Sequence, residues 1–484
     1  MFSLTLRNFR SFKNQTFDFN RFNVLIGENS SGKSSLFKFL LAAKQSLTTP
    51  TNREINFQFS GEYVDLGGYR ESIYYHQEDL NLGFDFAFKS TYVDFFFKFM
   101  MGDEAKKKEI QNWVNLFYSN EILTSETTIR FNMNRDLNLH YSIHTRIINT
   151  SLGELVIEPV NEDAKISKGA LYEPKCRLRY LDLTDKKVYD MKNIRYAKDG
   201  FLSIIDPGDL RASCDKLFAR ENEKSTEEVL LTLDERLQSH RMFNRIAFLL
   251  VAQNFVKATI ERIEYINPID THPSRFYITK DKKKFTTIND LDDVLAYFSG
   301  ADEVKLKVQK EFVKILKKMG IADDLEILED ERLPVTELRV KVKDLLSNIS
   351  DVGYGVSLQL PIILKALLAD RASDGVVRYV MIEQPEVHLH PRLHSSLIEI
   401  LMSLSKNTVY FVETHSEHVI RKLQILAKEK AYGLEPQQVT IHYLLRKNKQ
   451  SEVSVHPILE SGFLENPLPT GFFDNSFFLS KQLL

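Results

Sequence analysis

The segment Gly27-Glu28-Asn29-Ser30-Ser31-Gly32-Lys33-Ser34 fits G-x-x-x-x-G-K-[ST], and it constrains the chain more than any other stretch. The run Arg21-Phe22-Asn23-Val24-Leu25-Ile26 before it is short and apolar, as a buried strand is. After it Leu36, Phe37, Phe39, Leu40 and Leu41 fall at helical spacing. Strand, glycine-rich loop and helix in this order make an anion site: the glycines let backbone N–H groups turn inward, and the helix N-terminus adds its dipole. Such a loop places Gly27, Asn29, Ser30, Ser31, Gly32 and Ser35 around the phosphates of a nucleotide such as ATP. Lys33 then bridges the β- and γ-phosphates, and the Ser34 hydroxyl is offered to Mg²⁺. A plain Ser/Gly helix cap has no need of a lysine at that register.

Two further sites lie far along the chain. Val376 to Ile382 reads as a buried strand and leads into Glu383-Gln384-Pro385-Glu386-Val387-His388-Leu389-His390-Pro391. Thr408 to Val412 reads as a second strand and leads into Glu413-Thr414-His415-Ser416. Leu393, Leu397, Leu401 and Leu404 between them have helical spacing, so the unit is βαβ with two neighbouring parallel strands whose carboxyl ends share an edge. Glu383, at the end of its strand, is placed to hold Mg²⁺ or its water, and His415 is expected beside it, where a neutral imidazole can meet a γ-phosphate or the attacking water. A competing reading gathers Glu386, His388, His390 and His394 as metal ligands.

A fourth motif, Ser350-Asp351-Val352-Gly353-Tyr354-Gly355-Val356-Ser357-Leu358-Gln359-Leu360-Pro361, opens an apolar helix. With Ser357 as N-cap, Pro361 falls among the first four positions, whose N–H groups lack an intrahelical partner. A helix start of this kind presents amides to an anion, here the ATP of a second protomer, or is simply capped.

The rest of the chain narrows the alternatives. Of 484 residues, 64 are Lys or Arg and 66 Asp or Glu, so the net charge of −2 disfavours a protein that holds nucleic acid by bulk positive charge. Near 305–319 a helix is expected with Val308, Phe312, Ile315 and Met319 inward and Lys307, Lys310, Lys314, Lys317 and Lys318 outward, which reads as a solvated face. A helical stretch over Phe95 to Phe117, a β-rich stretch over Thr127 to Tyr189 and a long helix over Asp209 to Ile263 carry no recognisable chemistry. Leu4 to Phe19 reads as a hairpin. Cys176 and Cys214 lack metal-ligand spacing. Apolar runs fall short of a membrane span and no secretory signal opens the chain, so no membrane association and a cytoplasmic location are expected.

Lys33 and Glu383 are 350 residues apart (383 − 33), so one nucleotide-binding fold is expected to be split by an insertion. The order of P-loop, Gly/Ser helix, strand-end acid and histidine resembles the ABC-type ATPases of the SMC, RecF and OLD groups. Leu6-Arg7-Asn8-Phe9-Arg10-Ser11-Phe12, the Glu383 and Glu413 motifs and Gly471-Phe472-Phe473-Asp474 are similar to stand-alone prokaryotic AAA/ABC ATPases, most of all the AriA-type ATPases of PARIS anti-phage defence. The resemblance covers 1–90 and about 335–484; between them it is weak, apart from a stretch around Tyr265-Ile266-Asn267-Pro268.

The resemblance implies an α/β fold, an ABC-type P-loop ATPase head (1–90 and 331–484) split by a large α+β insertion (91–330). It implies ATP and Mg²⁺ as cofactors, and a homodimer or higher homo-oligomer with ATP at the interface. In that assembly Lys33 and Ser34 bind ATP with Mg²⁺, Glu383 supports Mg²⁺, His415 is the switch histidine, and Gly355 and Ser357 contact ATP from the partner protomer. Arg10 and Phe12 approach the adenine. Gln384 stands where many relatives carry the general-base glutamate; an amide cannot accept a proton, so slow hydrolysis is expected, with Glu386 as a substitute base. Only 69 residues follow His415 (484 − 415), too few for the TOPRIM nuclease domain of OLD proteins. The resemblance therefore implies a sensor or regulatory subunit acting with a separate toxin or nuclease effector and a phage trigger protein. The alternative is a RecF/SMC-like repair ATPase that grips DNA through the insertion.

Overall fold

The computed structural model describes residues 2–48, 57–89, 125–135, 141–160, 175–199, 201–218, 233–266, 273–278, 288, 290–299, 303–330, 332–371, 377–404, 407–469, 472 and 481. The chain forms two compact units, one of Met1–Asp18, Ser35–Glu261 and Lys447–Ser451, the other of Phe19–Ser34, Arg262–Arg446 and Glu452–Leu484. Residues 262–330, grouped by the sequence reading with the insertion, thus pack with the P-loop and both strand-end motifs. The expected helix over Phe95 to Phe117 lies outside the described residues.

The first unit is built on strands β1 (Phe2–Phe9), β2 (Phe12–Phe19), β4 (Leu82–Lys89), β5 (Glu126–Arg135), β6 (Tyr141–Asn149), β7 (Gly153–Pro159), β8 (Lys175–Asp182), β9 (Val188–Asp199) and β10 (Leu202–Ile205). They form one nine-stranded sheet in the order β10-β9-β8-β7-β6-β5-β4-β1-β2. The pairs from β1 through β4 to β10 are antiparallel. Alternation along β1 and β8 puts every second side chain inside, as period-2 patterning requires. Phe84 is the hub of the aromatic core, 5.0 Å from Phe131, 5.1 Å from Phe39 and 5.3 Å from Phe201 between ring centres. The helical stretch read over Asp209 to Ile263 contains helices Pro207–Phe218 and Leu233–Glu261, and residues 219–232 lie outside the described residues.

The second unit holds β3 (Phe22–Gly27), β11 (Ile263–Ile266), β16 (Arg378–Glu383), β17 (Thr408–Glu413), β18 (Val439–Lys447) and β19 (Gln450–Val455) in a six-stranded sheet of order β11-β16-β17-β3-β18-β19. From β11 to β18 the pairs are parallel, and all six residues of β3 are buried, as expected of a strand covered on both faces. A smaller sheet joins β12 (Tyr277–Ile278), β13 (Asp324–Glu329), β14 (Val335–Val342) and β15 (Leu345–Asn348).

The helices that matter for the site are α1 (Lys33–Thr48), α2 (Glu303–Met319), α3 (Tyr354–Arg371), α4 (Pro391–Ser403) and α5 (Glu417–Lys428). Helix α3 is buried nearly all round, Leu360, Ile362, Ile363, Leu364 and Leu367 all lying in the core with Val24, Val380 and Val412. In α2, Val308, Phe312, Leu316 and Met319 face inward, with Leu316 taking the fully buried place expected of Ile315. Its lysines form a solvated face, Lys307 pairing with Glu303, Lys317 with Asp323 and Lys318 with Glu399. Among the described residues no helix is long and apolar enough to cross a membrane.

Candidate functional site: a phosphate loop and three carboxylates at one sheet edge

The strand order decides the site. β17 lies between β3 and β16, so the loops that follow all three strands open at the same carboxyl edge of the sheet. The sequence reading put the two acid-ending strands side by side; the structure adds that the phosphate-loop strand is next to the histidine strand, on its far side from Glu383.

The loop after β3 uses left-handed backbone at Gly27 (φ 138°), Ser30 (φ 60°) and Gly32 (φ 103°). Gly27 has a second reason to lack a side chain, because a Cβ there would sit 2.0 Å from the carbonyl oxygen of Leu444 on β18. Asn29 and Ser30 are exposed, and Ser35 follows half-buried in the first turn of α1. Ser31 is fully buried and its Oγ has no hydrogen-bond partner in the protein. An orphaned hydroxyl in a loop of inward-turned amides fits a phosphate group.

Lys33 is buried, 4% exposed, and its ammonium donates to the carbonyls of Gly27 (3.0 Å) and Glu28 (2.8 Å). Burial pulls its pKa below the usual lysine value, while the negative charges of Glu413 and Glu28 act in the opposite sense. Ser34 Oγ donates to both oxygens of Glu413, at 3.1 and 3.3 Å. Glu413 is 3% exposed, and burial, followed by the neighbouring charge of Glu383, pushes its carboxyl up to about 7. Glu383 and Glu413 are register partners across β16 and β17, so both side chains leave the same face of the sheet. The Tyr265 hydroxyl, from β11, donates to Glu383 Oε1 at 3.0 Å. Serine and carboxylate oxygens are the hard donors that suit Mg²⁺.

Past the strand ends, the backbone knits the loops together. The N–H of Gln384 donates to the Glu413 carbonyl (2.7 Å), with Gln384 itself left-handed at φ 42°. Glu386 Oε1 accepts the backbone N–H of His415 at 2.7 Å, whereas its Oε2 is buried without a hydrogen-bond partner. His415 is drawn below the usual imidazole pKa by burial and by the positive charge of Lys33, while the negative charge of Glu386 acts in the opposite sense.

The competing metal-ligand cluster does not form. His388 packs edge-on against Tyr354 at 4.8 Å, His390 Nδ1 caps α4 by accepting from Arg392 N–H, and His394 hydrogen-bonds Ser416 Oγ (2.8 Å) and the Leu389 carbonyl (3.1 Å). Among the described residues no three His, Cys, Asp or Glu side chains are grouped to hold a metal ion.

The Gly-rich helix start also departs from expectation. Helix α3 begins at Tyr354, so Ser357 lies inside its first turns rather than at the N-cap, and Pro361 is in the helix body. Ser357 is buried and its hydroxyl donates to the Tyr354 carbonyl at 2.7 Å; a Cβ on Gly355 would lie 2.4 Å from the His388 carbonyl oxygen. Gly355 therefore packs α3 against the chain's own acid loop, the Ser357 hydroxyl is spent within α3, and Gly353 is exposed at this helix start. Two more side chains, which the sequence did not single out, hold the same join. Gln359 donates to the Pro385 carbonyl (2.9 Å), and the buried Lys365 donates to the Tyr265 carbonyl (3.0 Å) beside Glu264 (3.7 Å). Their signal in the sequence is polarity inside an apolar helix, which demands a buried partner.

A phosphate loop on β3, carboxylates at the neighbouring strand ends and a histidine beside them define a P-loop ATPase site in an α/β fold. The AAA ATPase domain family matches residues 1–420, and the chain belongs to that family. It is accordingly an ATPase with ATP as its substrate. No curated protein matches the chain. Among solved structures it is similar to the Smc head bound to the C-winged helix domain of ScpA, at 12% identity and TM-score 0.40 over 95% of this chain and 98% of that one. It is also similar to the Smc head domain with an extended coiled coil bound to the C-terminal domain of ScpA derived from Pyrococcus furiosus, at 10% identity and TM-score 0.38 over the whole of both chains. A third is the SMC head domain from Thermotoga maritima, at 11% identity and TM-score 0.32 over 94% and 97%.

Proposed function

We propose that the chain is an ABC-type ATPase head in which Glu386 is the local base and couples the acid loop to the histidine loop. The observation that carries this is the pair of Glu386 oxygens: Oε1 is spent on the His415 N–H, and Oε2 is buried and unbonded. A buried, unsatisfied carboxylate oxygen is poised to accept a proton, which the Gln384 amide cannot do. In this reading the amides from Gly27 to Ser35, with Asn29, Ser30, Ser31 and Gly32, surround the phosphates, and Lys33 exchanges its loop carbonyls for the β- and γ-phosphate oxygens. His415 donates to the γ-phosphate or orients the water. Ser34 and Glu383 are the residues that hold Mg²⁺, which supplies charge neutralisation at the phosphates. Binding then reaches the histidine loop through Glu386, so the nucleotide state is readable at α5.

We further propose that the head dimerises with ATP between protomers, using the exposed α3 start around Gly353, and that it serves as the regulatory subunit of a prokaryotic anti-phage system, restraining a separate toxin or nuclease until a phage protein is sensed. The sequence resemblance supports this reading, as does the net charge of −2, which disfavours holding DNA by bulk positive charge. The test is co-expression with the neighbouring genes. Lys33→Ala and Glu386→Gln should each uncouple infection from effector toxicity, and sedimentation should show an ATP-dependent dimer in the parent and in Glu386→Gln, which still binds ATP, and none in Lys33→Ala. Tight, salt-sensitive duplex binding that is lost on changing Lys310, Lys314 and Lys317 to Glu would favour the repair reading instead.

A further inference from the structure

Glu413 has no role in the reading above, although it is the most buried carboxylate at the site. We infer that Glu413 is a second carboxylate of the divalent-cation site, opposite Glu383, and that it sets the position of the Ser34 hydroxyl. This rests on the reading of Ser34 and Glu383 as the cation-holding residues.

Three observations converge. First, the Ser34 hydroxyl is shared between the two Glu413 oxygens, 3.1 and 3.3 Å away, so its direction is fixed by Glu413 and not by the helix it begins. Second, the β16 and β17 register sets Glu383 and Glu413 directly side by side, while the β17 and β3 register sets Glu413 beside Leu25, two residues before Gly27. The carboxylate therefore stands between the phosphate loop and the strand-end acid. Third, among the described residues the Lys33 ammonium donates to the Gly27 and Glu28 carbonyls, and the Tyr265 hydroxyl donates to Glu383. The buried Glu413 and the half-buried Glu383 side by side repel unless one takes up a proton or a cation lies between them, and two carboxylates with a hydroxyl form the oxygen set that a hard divalent ion takes. A carboxylate buried only to brace a serine would cost more than the amide of a glutamine in the same place.

The experiment uses the full chain and Mn²⁺ as the probe. Mn²⁺ affinity is read from the electron paramagnetic resonance signal of free Mn²⁺ in the presence of saturating ADP, and ADP affinity is read separately in EDTA. Glu413→Gln should weaken Mn²⁺ binding by about tenfold or more while ADP affinity in EDTA stays within about twofold, the size usual when a metal site loses a supporting group. Glu413→Asp, which keeps the charge and shortens the reach, should fall between. Unchanged Mn²⁺ affinity in Glu413→Gln overturns the inference, as does an equal loss of ADP affinity in EDTA, which would mark a structural carboxyl. If Glu413→Gln does not fold, Glu413→Asp decides by the same two readouts. Lys33→Ala separates the parent reading: should that change leave ADP affinity in EDTA untouched, the phosphate-loop assignment fails independently of Glu413.

Discussion

The backbone N–H of His415 donates to Glu386 Oε1 at 2.7 Å, tying the loop after β17 to the loop after β16. The contact makes one device of two motifs that are separated in the sequence by a whole helix. Any shift of Glu386 toward a water must pull on His415 and on the start of α5, where Ser416 caps the helix and bonds His394.

That arrangement fixes the outcome of exchanging the two candidate bases. Glu386→Gln should lower single-turnover hydrolysis by about 10²–10⁴-fold, the usual worth of general-base assistance, with ATP affinity kept. Gln384→Glu should raise it by less than tenfold, because Glu386 already serves. A large gain in Gln384→Glu with little loss in Glu386→Gln would transfer the role to position 384.

Lys33→Ala should weaken ATP by about 10- to 100-fold. It removes charge-assisted hydrogen bonds worth about 1.5–3 kcal/mol and leaves backbone donors alone. Titration of a labelled ATP analogue checks it, and unchanged affinity is incompatible with the site.

Gly355→Ala tests the cis packing of α3. A Cβ 2.4 Å from the His388 carbonyl forces α3 and the acid loop apart, so denaturant unfolding should show a loss of about 1–3 kcal/mol. If stability is unchanged while ATP-dependent dimerisation disappears, Gly355 acts across the interface instead.

The Glu413 carboxyl gives a pH signature. Its folded value, about 7, lies above the ordinary carboxylate value, so the stability tied to its protonated form is fully present below about pH 4.5 and is lost as pH rises through about 7. In nucleotide-free chain, Glu413→Gln should therefore be more stable than the parent at pH 8, with the gap closing toward pH 5. Melting curves of both proteins at the two pH values check the sign. A gap that widens on acidification would mean that Glu413 is held ionised.

The sequence by itself determined the pieces. The glycine spacing of Gly27 to Ser34, the apolar runs that became β3, β16 and β17, and the helical spacing of α4 and α2 are local patterns, each imposed by the period of one element or one turn. They placed the phosphate loop, Glu383 and His415 at one sheet edge. Tertiary structure decided what the period of a single element does not encode. The order β16-β17-β3 put Glu413 beside Ser34, although they are 379 residues apart. Short contacts between elements of the same chain gave Glu386 to His415, Tyr265 to Glu383, and Gly355 to the His388 carbonyl. The start of α3 moved to Tyr354 because core burial of Ser357 and Leu358 outweighs the capping preference of a serine, a term of about 1 kcal/mol against that of an apolar helix packed on all sides. Side-chain chemistry is written locally, but which carboxylate meets which hydroxyl depends on strand order, and strand order is set by how the whole unit buries its core.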